Sequence, residues 1–382
     1  MGTHHTDVVI VGGGTMGTAA GWALARQGVR VVVLEQFQHN NAYGSHGGRT
    51  RIFRHAYAEG PRYVPWALAA DRLWSELEER SGNRFLHRVG CIDISGPDND
   101  RAHAARASAV EYGIAHEWLT GADVNERWPI WRVPDDRVAC YGPDAGFLDV
   151  AIALRSLAEE MTGAGGLLVE QTPVVSWSAT DAGVRVETDN DTYVAERLIL
   201  TAGAWSVHIL AGLGIPLEVR RKPVLWFEVD AQHQPLSQPD RMPVFIVDDE
   251  HGEFYGIPEH EVPGVKIGMH SGGDVVDPNT IDRSVVESDY TKTVVPFIER
   301  HLRGFTGAVL DTSMCMYTMS PDEDFVIDRH PEHHRVVFAT GFSGHGFKFT
   351  PVIGEYLASL SASNDVVVRP DFAVSRFAGV VS

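Results

Sequence analysis

At 382 residues the chain exceeds what one compact core usually holds, so two domains, or one domain with a large insertion, are expected. With 44% apolar and 22% charged residues it has a globular make-up with enough apolar content for a sizeable core, which excludes a disordered chain. Its 32 Lys and Arg against 51 Asp and Glu leave a formal charge of −19, a field that repels phosphate backbones and anionic lipids, so neither nucleic acid nor a membrane is an expected partner.

Three cysteines, Cys91, Cys140 and Cys315, are odd in number and widely spaced, which points to a reducing compartment. No apolar run reaches the roughly 18 residues that span a bilayer, and the polar start lacks signal-peptide character, so a soluble cytoplasmic protein is expected. Gly2 and Thr6 match a loose myristoylation pattern, set aside because a strand begins at once.

Residues 7–11 form a β-branched apolar run, followed by a glycine cluster and an alanine-rich stretch from Thr18 to Gln27. Arg30 to Leu34 is a second strand closing on Glu35, which completes a βαβ unit of a parallel sheet. Leu68, Leu73, Trp74 and Leu77 predict a helix over 62–80. From 85 to 148 the pattern reads as short strands broken by Pro and Gly, and 151–163 as another helix. Strands return over 184–201 and dominate 218–316, with one helical stretch near 287–301, and 336–360 reads strand, glycine-rich turn, helix. The fold class expected is mixed α/β and α+β: a Rossmann-like dinucleotide domain of residues 1–85, 149–217 and 317–382, interleaved with a sheet-rich substrate domain of residues 86–148 and 218–316. No internal repeat stands out.

Gly12-Gly13-Gly14-Thr15-Met16-Gly17 supplies G-x-G-x-x-G between strand and helix, the setting in which the pattern carries meaning. Gly12 permits the tight turn, Gly14 lets backbone approach a pyrophosphate, Gly17 lets helix and strand pack closely, and the helix N-terminus favours the anion. Glu35 is placed to accept from ribose hydroxyls. The unit alone does not separate FAD from NAD. The chain, however, leaves the Rossmann pattern near residue 37 and returns only near the C-terminus, where residues 338–348 again set glycines between strand and helix.

In the strand over 265–270, Lys266, Gly268 and His270 share one face, and a turn between Pro258 and Gly264 is expected to bring Tyr255 opposite Lys266. Residues 328–334 hold three histidines, but Pro331 breaks helical ligand spacing, so a solvated turn is expected there and no metal. Taken alone, Cys315 reads as a small buried apolar residue, Arg49, Arg51, Arg54 and His55 as a solvated basic patch, and Lys348 as a surface lysine.

Five motifs in order change that reading: Gly12 to Gly17; Gly44-Ser45-His46 with residues 50–57; Lys266 to His270; Cys315 to Thr318 with Pro321-Asp322-Glu323; and Gly341 to Lys348. Together they resemble the monomeric sarcosine oxidase and N-methyltryptophan oxidase family of D-amino-acid-oxidase-like flavoproteins, across nearly the whole chain. The resemblance implies an FAD joined through Cys315 to the flavin 8α carbon, and a monomer. It implies oxidation of secondary amino acids by hydride transfer to flavin N5, hydrolysis of the imine to formaldehyde and the primary amino acid, and return of the flavin by O2 with formation of H2O2. It places Arg51 against the flavin face, Lys266 near N5 where a fixed cation promotes O2 reduction, and Arg54 with Lys348 as a clamp on the substrate carboxylate. His270, Tyr255 and Tyr317 would tune the substrate amine, with Gly344 and Ile246 also at the substrate. Thr15, Met16, Ser45, Val174, Ala202, Gly203, Trp205, Met316, Phe342, Gly344, Gly346, Phe347 and Lys348 complete the cofactor contacts the resemblance implies.

The chain departs from its relatives at Gly47 and Arg49, where they carry a second histidine near the flavin and an aspartate, and at Ile246, where sarcosine oxidases tend to carry methionine. Segment 231–241 also looks unlike theirs. Other readings are a flavin oxidase of a cyclic imino acid or sugar-modified amino acid, a nicotinamide-dependent dehydrogenase, and a flavin-binding module without turnover.

Overall fold

The computed structural model describes residues 2–377, and two sheets divide the work of the site between them. The first has six strands in the order Leu167–Val169, Val31–Leu34, Val8–Val11, Arg197–Leu200, Val336–Thr340 and Val326–Arg329, parallel except for the last. Its central strands are buried on both faces, which is why they read as unbroken Val, Ile and Leu runs. Ile10 and Val33 pack beneath the helices Thr15–Ala25, Val150–Gly163 and Thr350–Ala362. Val9, Val11, Leu198 and Leu200 face the other way, onto Val184, Val186 and Tyr193 of a small antiparallel sheet. The Rossmann pattern thus resumes earlier than expected, since Leu167–Val169 and Arg197–Leu200 join this sheet.

The second sheet has eight strands, ordered Phe305–Met319, Glu218–Val229, Val265–Met269, Gly252–Ile257, Val244–Asp249, Cys91–Ser95, Val138–Gly142 and Glu117–Thr120. Alternation gives it two unlike faces. Ile92, Leu225, Phe227, Phe245, Phe254 and Ile267 form an apolar core with Trp131 and the helix Val294–His301. On the opposite face cross-strand pairing aligns Trp226 with Lys266, Val224 with Gly268, Tyr255 with Gly268, Ile246 with Tyr255, and Asp93 with Ile246.

Three expectations need correction. Tyr255 pairs with Gly268, and Lys266 with Ile257; the 258–264 connection is too long to set register by turn type, but the slip of two keeps every side chain on its face. The stretch 287–301 is helical only over Val294–His301, with a separate short turn at Glu287–Asp289, because Pro296 fits the first turn of a helix and not its interior. Between 85 and 148 lie two helices, Arg101–Tyr112 and Gly121–Arg127, that the strand reading passed over. No helix among the described residues is long and apolar enough to cross a membrane.

Candidate active site

A cavity of 520 Å³ opens over the carboxyl ends of the parallel strands. Of the residues expected around a dinucleotide, Gly12, Gly14, Thr15, Met16, Glu35, Ser45, Arg51, Val174, Ala202, Gly203, Trp205, Met316, Phe342, Gly344, Gly346 and Phe347 line it. Gly17, Cys315 and Lys348 do not; Gly17 lies beneath, where a Cβ would come within 1.9 Å of the Gly12 carbonyl oxygen, so its role is close packing of helix on strand. Gly12 has φ +101°, and a Cβ there would meet the Thr201 carbonyl at 2.4 Å.

The lining suits FAD. Nothing lies within 4 Å of where a Gly14 Cβ would stand, and the helix Thr15–Ala25 begins with no side-chain cap and no acidic residue in its first turn. Its N-terminal amides are thus left for an anion. The buried Glu35 carboxylate accepts from Phe37 N at 3.0 Å, and burial raises its pKa despite that bond. His46 Nε2, Thr318 Oγ1 and Thr340 Oγ1 belong to lining residues and are buried without a partner, as groups awaiting a polar ligand would be. Burial, reinforced by Arg51, lowers the His46 pKa to about 4, so its imidazole is neutral.

Three candidate residues converge at Gly48, whose absent Cβ would lie 3.3 Å from Cys315 Sγ, 3.6 Å from Arg51 Nη1 and 3.8 Å from Lys266 Nζ. Arg51 donates to Thr50 O at 2.8 Å, Ser45 O at 2.8 Å and Gly47 O at 2.5 Å, and stands 3.7 Å from Cys315 Sγ. The buried Cys315 thiol donates to Gly47 O at 3.0 Å. Lys266, also buried, donates to Gly48 O at 2.7 Å, Thr50 O at 2.6 Å and Thr50 Oγ1 at 3.2 Å; burial and then Arg51 pull its pKa well down. The charge at Arg49 is turned away from this cluster. Its side chain reaches Asp311 at 3.0 Å and Glu261 at 3.4 Å, half-exposed, so it is spent at the surface.

Beyond that point the polar face of the eight-stranded sheet carries Tyr255, Tyr317, His270 and Ile246. The Tyr255 ring covers Gly268, where a Cβ would meet its hydroxyl at 2.7 Å, and the Tyr317 ring lies on Gly344 in the same way at 2.3 Å. Burial raises Tyr255 to about 12 and Tyr317 well above the ordinary phenol range, so both hydroxyls keep their protons. Burial lowers His270 to about 3, leaving a neutral imidazole 5.2 Å from the Tyr317 ring.

Arg54 and Lys348 are both buried against Tyr57, 4.4 and 5.1 Å from its ring centre. Arg54 is not idle. Its Nη2 donates to both Glu59 oxygens at 2.5 and 2.6 Å and its Nη1 to Ala56 O at 2.9 Å, while Nε has no partner. Burial opposes the guanidinium charge, but Glu59 and Asp93 overcome it and hold Arg54 firmly protonated. Glu59 also lies 3.8 Å from Arg101, which meets Asp93 at 3.3 Å, Asp248 at 3.4 Å and Glu253.

Sequence reasoning missed Glu59, Arg101, Tyr57, His345 and Lys222. Extending the two-residue alternation from Tyr255 to Glu253 and from Ile246 to Asp248 would have found the acidic part of this face; nothing local marks Arg101 or Glu59. At the 330–334 turn, ligand atoms of His330, Glu332 and His333 fall within 4.8 Å of one another, gathered by the turn itself rather than by helix spacing.

The family model for FAD dependent oxidoreductases of the DAO type matches residues 7–360. Monomeric sarcosine oxidase from Bacillus sp. (strain NS-129) is 38% identical over 364 residues, 94% of this chain and 93% of that protein. N-methyl-L-tryptophan oxidase from Yersinia pestis (strain Pestoides F) is 34% identical over 374 residues, 97% and 99% of the two chains. The solved glycine oxidase from Geobacillus kaustophilus superposes with a TM-score of 0.80 at 22% identity, over 98% of this chain and 99% of that one, and shares the fold.

Proposed function

Because the chain belongs to the DAO family of FAD-dependent oxidoreductases and is an enzyme of amine oxidation, we propose that its substrates are N-methyl or other secondary amino acids. O2 would be the acceptor, H2O2 a product, and the protein a monomer. The observation that carries this is the meeting of Lys266, Arg51 and Cys315 at Gly48, with Arg54 and Lys348 brought together at Tyr57. Residues 1–85, 149–217 and 317–382 are assigned to the cofactor, and 86–148 with 218–316 to the substrate.

FAD, when bound, supplies a two-electron acceptor for the hydride on the carbon next to nitrogen. This chain's residues do the rest. Glu59 on Arg54 is a carboxylate where the substrate's carboxylate is proposed to bind, and the unpartnered Arg54 Nε is a donor still to be used. On displacement Glu59 has Arg101 within 3.8 Å to receive it. Hydride leaves only from a carbon whose nitrogen lone pair is free, so the amine must be neutral while the carboxylate stays charged. His270, Tyr255 and Tyr317, all uncharged at neutral pH, surround the amine with dipoles that do not compete for that charge. Water then hydrolyses the imine to formaldehyde and the primary amino acid.

Covalent attachment is assigned to Cys315, the thiol that meets Arg51 and Lys266 at Gly48, with Arg51 3.7 Å from its sulfur. The experiment is anaerobic addition of sarcosine, N-methyltryptophan, proline and glycine to the purified holoenzyme. Bleaching of the flavin band by an N-methyl amino acid and not by glycine supports the proposal, and bleaching by none of them overturns it.

A further inference from the structure

The chain has four lysines, and three of them, Lys222, Lys266 and Lys348, are buried. An ammonium offers three N–H donors, so a buried one rests comfortably only with three acceptors. Lys266 has three, and Lys222 has three, the carbonyls of His270 at 2.5 Å, Ser271 at 2.9 Å and Gly272 at 2.5 Å. Among the described residues Lys348 has two, His345 O at 2.9 Å and Tyr57 Oη at 3.1 Å.

The two are fixed in their sense. His345 Nε2 faces the Glu323 carbonyl at 3.1 Å, and a carbonyl only accepts, so Nε2 carries the hydrogen and Nδ1 does not. Nδ1 therefore accepts from the Tyr57 hydroxyl at 2.7 Å, and the Tyr57 oxygen in turn accepts from Lys348. Two donors with one position left open is the hydrogen-bonding pattern of a neutral amine, whose third position is a lone pair.

We propose that Lys348 is neutral in the free enzyme and takes up a proton as the substrate binds, receiving the one that a secondary ammonium gives up. The inference rests on the reading of Arg54 and Lys348 as the carboxylate clamp. One N–H bond breaks at the substrate nitrogen, one forms at Nζ, and no electrons change hands. The incoming carboxylate supplies the third partner that makes the ammonium stable there.

The charges around Lys348 agree. Burial first, then Arg54, lower its pKa to about 7, with Glu59 opposing and Arg101 adding to the fall. Tyr57 and Cys91, both pushed well up, His345 and His270, both lowered to about 3, complete the groups that face it, and all four are uncharged. A zwitterionic substrate then binds with no net change in protons. A carboxylate without an amine must draw its proton from solvent.

The test is binding of methoxyacetate to the holoenzyme, followed by the flavin spectrum, with proton uptake measured by calorimetry in buffers of different ionisation enthalpy. Expected are about one proton taken up per ligand at pH 8, almost none at pH 6, and affinity falling about tenfold per pH unit above the midpoint. Lys348→Arg, which cannot become neutral, binds with no uptake. Binding by the wild type without uptake at pH 8 overturns the inference alone, as does uptake that persists in the arginine variant. If that variant does not fold, the wild-type profile decides, since a flat one overturns the inference too. Failure of methoxyacetate to perturb the flavin overturns the clamp and the inference with it.

Discussion

Glu59→Gln separates two roles for the carboxylate on Arg54. If Glu59 occupies the place of the substrate carboxylate, it competes with every acidic ligand, and neutralising it removes the competitor while keeping shape and one acceptor. A charge-assisted hydrogen bond of this kind contributes about 1.5–3 kcal/mol net, equivalent to roughly 10–150-fold in affinity. Arg101, 3.8 Å from Glu59, would recover part of that on displacement, so the low end, about tenfold tighter binding, is expected. Spectral titration of the holoenzyme with methoxyacetate at pH 6, where Lys348 is charged, measures it. Unchanged or weaker binding refutes the reasoning and makes Glu59 a structural anchor that holds Arg54 in place.

Lys266→Met should slow reoxidation of the reduced enzyme by O2 about 100-fold or more, with the reductive half-reaction little altered; stopped-flow traces showing equal effects on both would contradict its assignment. Cys315→Ala should release the yellow colour on acid precipitation, whereas wild-type colour should stay with the pellet. Gly344→Ala, with φ +83° and a Cβ 2.3 Å from the Tyr317 ring, should cost about 1–3 kcal/mol of stability and raise KM, and a thermal melt like wild type would refute it. His270 and His345 titrate near 3 when folded against an ordinary 6.5, so between those values the unfolded chain binds more protons. Stability is therefore lost as pH falls from 6.5 toward 3, by up to about 1.4 kcal/mol per pH unit per histidine, and urea midpoints of His270→Gln should fall less steeply over pH 4–6.5.

What was legible in the sequence was what local geometry dictates. Gly12 and Gly17 answer to contacts within one strand-turn-helix unit, so their spacing alone reports them. Lys266, Gly268 and His270 share a face by the period of the strand, which survives even a register error of two. Arg101 was not legible. Its helix buries alanines, Ala102, Ala105 and Ala109, whose small size gives little amphipathic signal, and its four carboxylates come from residues 59 to 253. Nor was the placement of Arg49, for nothing in residues 44–57 reveals that Asp311 waits across the sheet edge. The hydrogen-bond partners of the buried lysines were beyond sequence as well, since Lys266 and Lys348 differ by one acceptor.

The most direct measurement is the product balance with an N-methyl amino acid in air: O2 consumed, H2O2 formed, and formaldehyde released by the purified enzyme. Equal amounts of all three, with the primary amino acid appearing in step, are expected. Peroxide from primary amines alone, with neither peroxide nor formaldehyde from any N-methyl substrate, would contradict the account.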